Sequence, residues 1–173
     1  MQAIKDFDKV QIDEEFKRLP AGGYVVKITD VQDKPENEYL MITYDIAEGE
    51  YKDHFKATSD DYIFTHQFIR SYKATALGMF KGFIKAVEDS NKSFKWSWDE
   101  KKLIGKLLGV VFGEEEYENN RGEIKTALRV KTCKTVDAIR KGDFKTPEPK
   151  KITPKAGDIP AGFTALTDAD LPF

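Results

Sequence analysis

The hydrophobic period of this chain changes twice. It is two from Gly22 to Ala47, about 3.6 through the stretch ending at Val87, and two again from Lys106 to Val136. A period of two sends alternate side chains to opposite faces of a strand, whereas 3.6 draws one stripe along a helix. A chain written this way is not a helical bundle, nor a repeating strand–helix unit.

The elements can be placed from the pattern. In Gly22–Gln32, Tyr24, Val26 and Ile28 point one way and Val25, Lys27, Thr29 and Val31 the other. Asp33-Lys34-Pro35-Glu36-Asn37 reads as a hairpin turn. In Glu38–Ala47, Leu40, Ile42, Tyr44 and Ile46 oppose Tyr39, Met41, Thr43 and Asp45. A short third strand is expected at Tyr51–Ala57. A helical stripe then runs through Ile69, Tyr72, Ala76, Phe80, Phe83 and Val87, with a kink or split expected at Gly78 and Gly82. Two more strands follow, Lys106–Tyr117 and Glu123–Val136, joined at Asn119-Asn120-Arg121-Gly122. In the last, Ile124, Thr126, Leu128 and Val130 face inward, and Lys125, Ala127, Arg129, Lys131 and Cys133 outward. No element is assigned to residues 1–20.

The order β-β-β-α-β-β is that of the OB-fold, a five-stranded barrel that binds oligonucleotides among other ligands. The expected fold is therefore mainly β (α+β): an OB-fold barrel over residues 1–143, with a helix between strands three and four. Residues 144–173 are expected to be a flexible acidic tail. That stretch holds Pro147, Pro149, Pro154, Pro160 and Pro172, and no Lys or Arg follows Lys155. Proline at this density opposes helix and sheet ladders. An arm packed on the domain is the competing reading.

Of 173 residues, 28 are Lys or Arg and 30 are Asp or Glu, a net charge of −2. No apolar run is long enough to span a membrane. Charges in Met1–Lys9 argue against an export signal, and the single cysteine suits a reducing compartment; the cytoplasm is expected. Catalytic and metal motifs are not found, and no cofactor is expected. His54 and His66 stand in no nucleophile or ligand pattern. Asp60-Asp61 suggests at most a weak metal site, and neighbours in the Glu114-Glu115-Glu116 run point to opposite faces of a strand. Gly105-Lys106 lacks the rest of a phosphate loop. Cys133, near Lys131 and Lys134, reads as an incidental thiol.

Charge segregation points elsewhere. Between Phe64 and Lys106 lie nine basic residues, among them Lys73, Lys81, Lys85, Lys92 and Lys95, against four acidic ones. Eight of the chain's 21 aromatic residues share this window, and Lys92–Trp98 interleaves Phe94, Trp96 and Trp98 with lysines. Single-stranded nucleic acid needs both ingredients: cations for phosphates and flat rings for bases. Phe80 and Phe83 read as core; for Trp96 and Trp98 core and stacking stand about even. Lys27, Lys34 in the first turn, Tyr39, Lys125, Arg129 and Lys131 complete the candidate nucleic-acid contacts.

The chain ends Asp168-Ala169-Asp170-Leu171-Pro172-Phe173. This resembles the C-terminal tip of bacterial single-stranded DNA-binding proteins, departing at Ala169 and at Leu171, which stands for Ile. Pro20–Tyr24, Asn37–Leu40, Leu103–Lys106 and Gly113–Tyr117 resemble phage and integrative-element proteins regarded as OB-fold single-stranded DNA-binding proteins. That resemblance covers roughly residues 15–140. It implies a non-enzymatic protein that coats single-stranded DNA in a bacterial host cell. It also implies that Asp168, Asp170, Leu171, Pro172 and Phe173 dock on replication, recombination or repair proteins. Oligomeric state is left open, with a homo-oligomer compatible. The competing reading is an adaptor whose OB domain binds protein rather than DNA.

Overall fold

A computed structural model describes residues 19–56 and 66–152. Its strands are β1 (Gly22–Lys34), β2 (Tyr39–Ile46), β3 (Gln67–Ser71), β4 (Leu107–Glu118) and β5 (Ile124–Lys134). Helix α1 (Leu77–Ser90) lies between β3 and β4, and α2 (Val136–Arg140) follows β5. The fold is mainly β. One sheet has the order β3-β2-β1-β4-β5, with every neighbouring pair antiparallel. Among the described residues no backbone ladder joins β3 to β5, so the expected barrel is not closed by hydrogen bonds. No helix among them is long and apolar enough to cross a membrane.

The inner face of the sheet follows the period-two pattern where strands are regular. Leu40, Ile42, Tyr44 and Ile46 of β2 are all buried. Tyr44 meets Phe68 at 5.6 Å and Phe112 at 5.9 Å, and Phe68 meets Phe83 of α1 at 6.1 Å. Burying side chains of this size contributes roughly 2–3 kcal/mol each. Helix α1 lays Phe80, Phe83, Ile84, Ala86 and Val87 on this face. Asn91 then ties the helix end to β4: its amide donates to the carbonyls of Val87 at 2.7 Å and Leu107 at 2.9 Å, and accepts from Leu107 N–H at 3.1 Å.

Four expectations of element and face are corrected, and Ile124 makes a fifth. The third strand is not at Tyr51–Ala57. Residues 51–56 form turns, because the Asp45 carboxylate takes the N–H groups of Phe55 at 3.0 Å and Lys56 at 2.9 Å, which a ladder would need. The strand is Gln67–Ser71, where inward-facing Arg70 hides the apolar alternation. The helical stripe is shorter than expected: Ile69 belongs to β3, Tyr72 and Ala76 precede the helix, and α1 runs unbroken past Gly78 and Gly82. A Cβ at either glycine would meet open space.

The other two corrections come from β-bulges, each adding one residue and swapping the faces beyond it. A register shift between Ile28 and Asp30 turns Val31 inward, where it is fully buried. A second, opposite Val111 and Phe112, turns Cys133 inward against the core. Ile124, expected inward, lies exposed at the end of β5.

The outer face is covered in part. Ile139 of α2 sits on Gly109, where a Cβ would fall 2.6 Å from Ile139 Cγ1 and 2.7 Å from the Thr135 carbonyl. Residues 144–152, expected to begin the tail, lie along the sheet. Phe144 covers Gly23, and Pro147 approaches Gly113. β1 pairs with β4 only up to Phe112. Beyond it Lys150 bridges in parallel to Glu115, donating to the Glu114 carbonyl and accepting from Glu116 N–H, both at 2.9 Å. Lys150 stands one residue past Pro149, so its own N–H is free for this bond.

Candidate nucleic-acid interface

The outer face of β1, β2 and β3 is not the charged surface a solvated sheet would show. Tyr39 lies between Lys34 and Ser71, Met41 between Gln32 and Ile69, and Thr43 between Asp30 and Gln67. Ile69, midway along the edge strand β3, is 52% exposed. A phenol ring, a thioether and a branched aliphatic chain thus stand on adjacent strands, with amide and hydroxyl groups around them. Gln67 donates to Thr43 Oγ1 at 3.1 Å and Gln32 to Asp30 at 3.2 Å, which holds the polar border in place. Lys34 and exposed Lys73 stand at the Tyr39 end. There Tyr72 donates its hydroxyl to Asp33 at 2.8 Å. That bond occupies Asp33 and pushes the Tyr72 phenol up to about 12, with burial adding to the shift.

A run of rings leads away from this end. Tyr72 meets Phe80 at 5.9 Å, Phe80 meets Trp96 at 6.3 Å, and Trp96 meets Trp98 at 6.0 Å. Trp96 packs against the core, its backbone N–H held by Glu88 at 2.9 Å. Its indole N–H is buried without an acceptor among the described residues. Trp98 is 84% exposed and has left-handed backbone, φ +60°. For a residue other than glycine such a conformation costs about 1–3 kcal/mol and persists where surrounding structure enforces it. Beside it, Lys102 donates to Ser97 Oγ at 2.9 Å. The even reading of the two tryptophans therefore splits: Trp96 is the support and Trp98 the exposed ring.

The expected site residues fall on three surfaces rather than in one groove. Lys34 and Tyr39 lie on the β1–β2–β3 face, Lys73 borders it, and Lys27 lies further along β1 opposite Asp45. Lys81, Lys85, Lys92, Lys95, Trp96 and Trp98 belong to α1 and the loop after it, Lys85 being paired with Asp89 at 2.9 Å. Lys125, Arg129 and Lys131 lie on β5, at the far edge of the sheet. Lys125 is 3.7 Å from Glu123, and Lys131 pairs with Glu115, whose carboxyl is held below its usual range chiefly by that hydrogen bond. Asp168, Asp170, Leu171, Pro172 and Phe173 lie outside the described residues, as do Asp60 and Asp61. His54 and His66 both pack on Phe55, at 5.0 and 5.2 Å. Sequence reasoning missed Ile69, Gln32 and Gln67. For Ile69 and Gln67 the signal is the alternation of Gln67, Ile69 and Ser71 against Phe68 and Arg70, legible once a buried arginine is allowed; Gln32 follows the β1 bulge.

A family model matches residues 5–140, that of DUF669, described as a protein of unknown function. The chain belongs to the DUF669 family. The DUF669 span takes in the whole sheet, α1 and α2, and stops before the arm at Phe144–Ile152. No curated protein matches the chain.

Proposed function

We propose that this protein binds single-stranded DNA, without catalysis and with little sequence preference, on the outer face of β1, β2 and β3. The observation that carries the reading is the row of Lys34–Tyr39–Ser71 beside Gln32–Met41–Ile69: flat and apolar groups for bases, with cations at the border for phosphates. The sheet order supports an OB-type barrel. Closing β3 onto β5 would give the order 1-2-3-5-4 around a ring, and the face between strands two and three is where OB-folds take oligonucleotides. The terminal Asp168–Phe173 segment would recruit replication, recombination or repair proteins, with Phe173 as apolar anchor and the carboxylates answering a basic pocket. The setting would be a phage or mobile element in bacterial cytoplasm.

The test is the affinity for oligo(dT) against duplex DNA of equal length, at two salt concentrations. Single strands should win, and affinity should fall by about 0.7 log units per log unit of salt for each phosphate neutralised. Preference for duplex, or salt-independent binding, would overturn the reading. No DNA binding at low salt would favour a protein-binding adaptor.

A further inference from the structure

We infer that the Trp98 loop is a second single-strand contact, separate from the β1–β2–β3 face, which only a longer oligonucleotide engages. This rests on the single-strand reading above and extends its footprint over the flank of α1. Several features converge on this loop. Its indole is 84% exposed, yet it is held in left-handed backbone and backed by Trp96. The indole N–H of Trp96 is buried without an acceptor among the described residues. The fold thus tolerates two local costs two residues apart, beside one flat ring presented to solvent.

The surrounding charge selects the ligand. Asp89 is paired with Lys85 and Asp99 with Lys102, while Glu88 accepts the Trp96 N–H and keeps its charge, as does Glu100. Lys81, Lys92 and Lys95 are exposed and make no ion pair among the described residues. Leu77, Lys81, Ile84 and Glu88 share one flank of α1 by helical spacing, and Glu88 fixes the loop to that flank. An exposed ring on a loop that carries Lys92 and Lys95, next to a helix that carries Lys81, fits a base with its phosphates better than an apolar protein surface. The Tyr72 and Phe80 rings connect this loop to the Tyr39 end of the sheet face, where Tyr72 N–H donates to the Glu38 carbonyl and Lys73 follows in sequence.

The experiment compares labelled dT5 and dT25 on the full chain, by fluorescence anisotropy, for the wild type, Trp98→Asn and the double variant Lys81→Glu/Lys95→Glu. Asparagine accepts left-handed backbone, so melting temperature should hold. Trp98→Asn should weaken dT25 by about 5- to 100-fold and leave dT5 unchanged. The charge-reversed pair, made on exposed side chains, should give the same length-dependent loss. Equal loss on both lengths would overturn the inference, because the loop would then belong to a single site. Unchanged binding of both lengths by these variants would also overturn it and leave the surface to a protein partner. Failure of the wild type to bind either oligonucleotide would remove the single-strand reading itself, and this inference with it.

Discussion

Arg70 on β3 donates from Nη2 to Cys133 Sγ on β5 at 2.9 Å, across a seam where no backbone ladder joins the two strands among the described residues. Arg70 is 7% exposed, bonds the Ile69 carbonyl at 3.0 Å, and lies 4.6 Å from the centre of the Phe68 ring. Its Nε has no partner among the described residues. Burial pushes the Cys133 thiol up, against the opposing pull of the guanidinium, so it stays protonated at neutral pH.

Removing the acceptor alone should therefore be worse than removing both groups. Cys133→Ala leaves a buried N–H unmet and should cost about 1–3 kcal/mol in urea unfolding. Adding Arg70→Met should recover part of that loss, since an apolar chain of similar length needs no partner. Alkylation of Cys133 should be slow in the native protein and fast in urea. A Cys133→Ala variant as stable as the wild type would mean the contact does not hold the seam.

Stability should fall in alkali. The Tyr24 phenol is pushed up to about 12, mainly by burial, then by Tyr51 and Glu50; Tyr72 is pushed to about 12 by its bond to Asp33. Burial raises Tyr44 as well. The native state thus keeps protons that the unfolded chain releases near pH 10. Their contribution is complete below that value and is lost as pH climbs towards 12. Urea midpoints should be flat from pH 8 to 9 and then drop, less steeply in Tyr72→Phe. A profile level to pH 12 would contradict the assignment.

The arm depends on a missing side chain. A Cβ at Gly23 would fall 2.5 Å from the Phe144 ring. Gly23→Ala should dislodge that ring, at roughly 1–3 kcal/mol, and speed trypsin cleavage at Lys145, Lys150 and Lys151. Phe144→Ala should speed the same cleavages. Unaltered digestion in both variants would show that the ring does not hold the arm.

On the sheet face, Tyr39→Ala should weaken oligo(dT) binding by about 1–3 kcal/mol if the ring stacks on a base. Ile69→Lys, at an exposed position, should leave melting temperature near the wild-type value while changing the salt dependence. If neither variant alters binding of a wild type that does bind, the strand runs elsewhere.

What was legible in the sequence were the regular stretches. Leu40, Ile42, Tyr44 and Ile46 stand on the face their alternation predicts, and the helix between β3 and β4 lies within the stretch of 3.6 period. Period reading failed where an inserted residue changes the phase. Val31 and Cys133 each follow a bulge, and no local residue type announces one. It failed again at β3, because five residues containing Arg70 look less like a strand than Tyr51–Ala57 does. The loop tryptophans defeated it differently: Trp96 and Trp98 stand two residues apart in one polar, aromatic loop, and what separates them is that Trp96 packs on the core while Trp98 takes left-handed backbone and faces solvent.

The central position of β1 also bears on how fast the chain folds. β1 meets β2 through a single tight turn at Pro35–Asn37, so that hairpin closes locally. Its other edge waits for β4, where Gly22 pairs with Phe112, about ninety residues away. Closing so long a loop comes before the contacts that reward it, which places such topologies on the order of milliseconds to seconds rather than microseconds. The arm seats Phe144 on Gly23 of β1 and Lys150 on Glu115 of β4, so its full seat exists only after that docking.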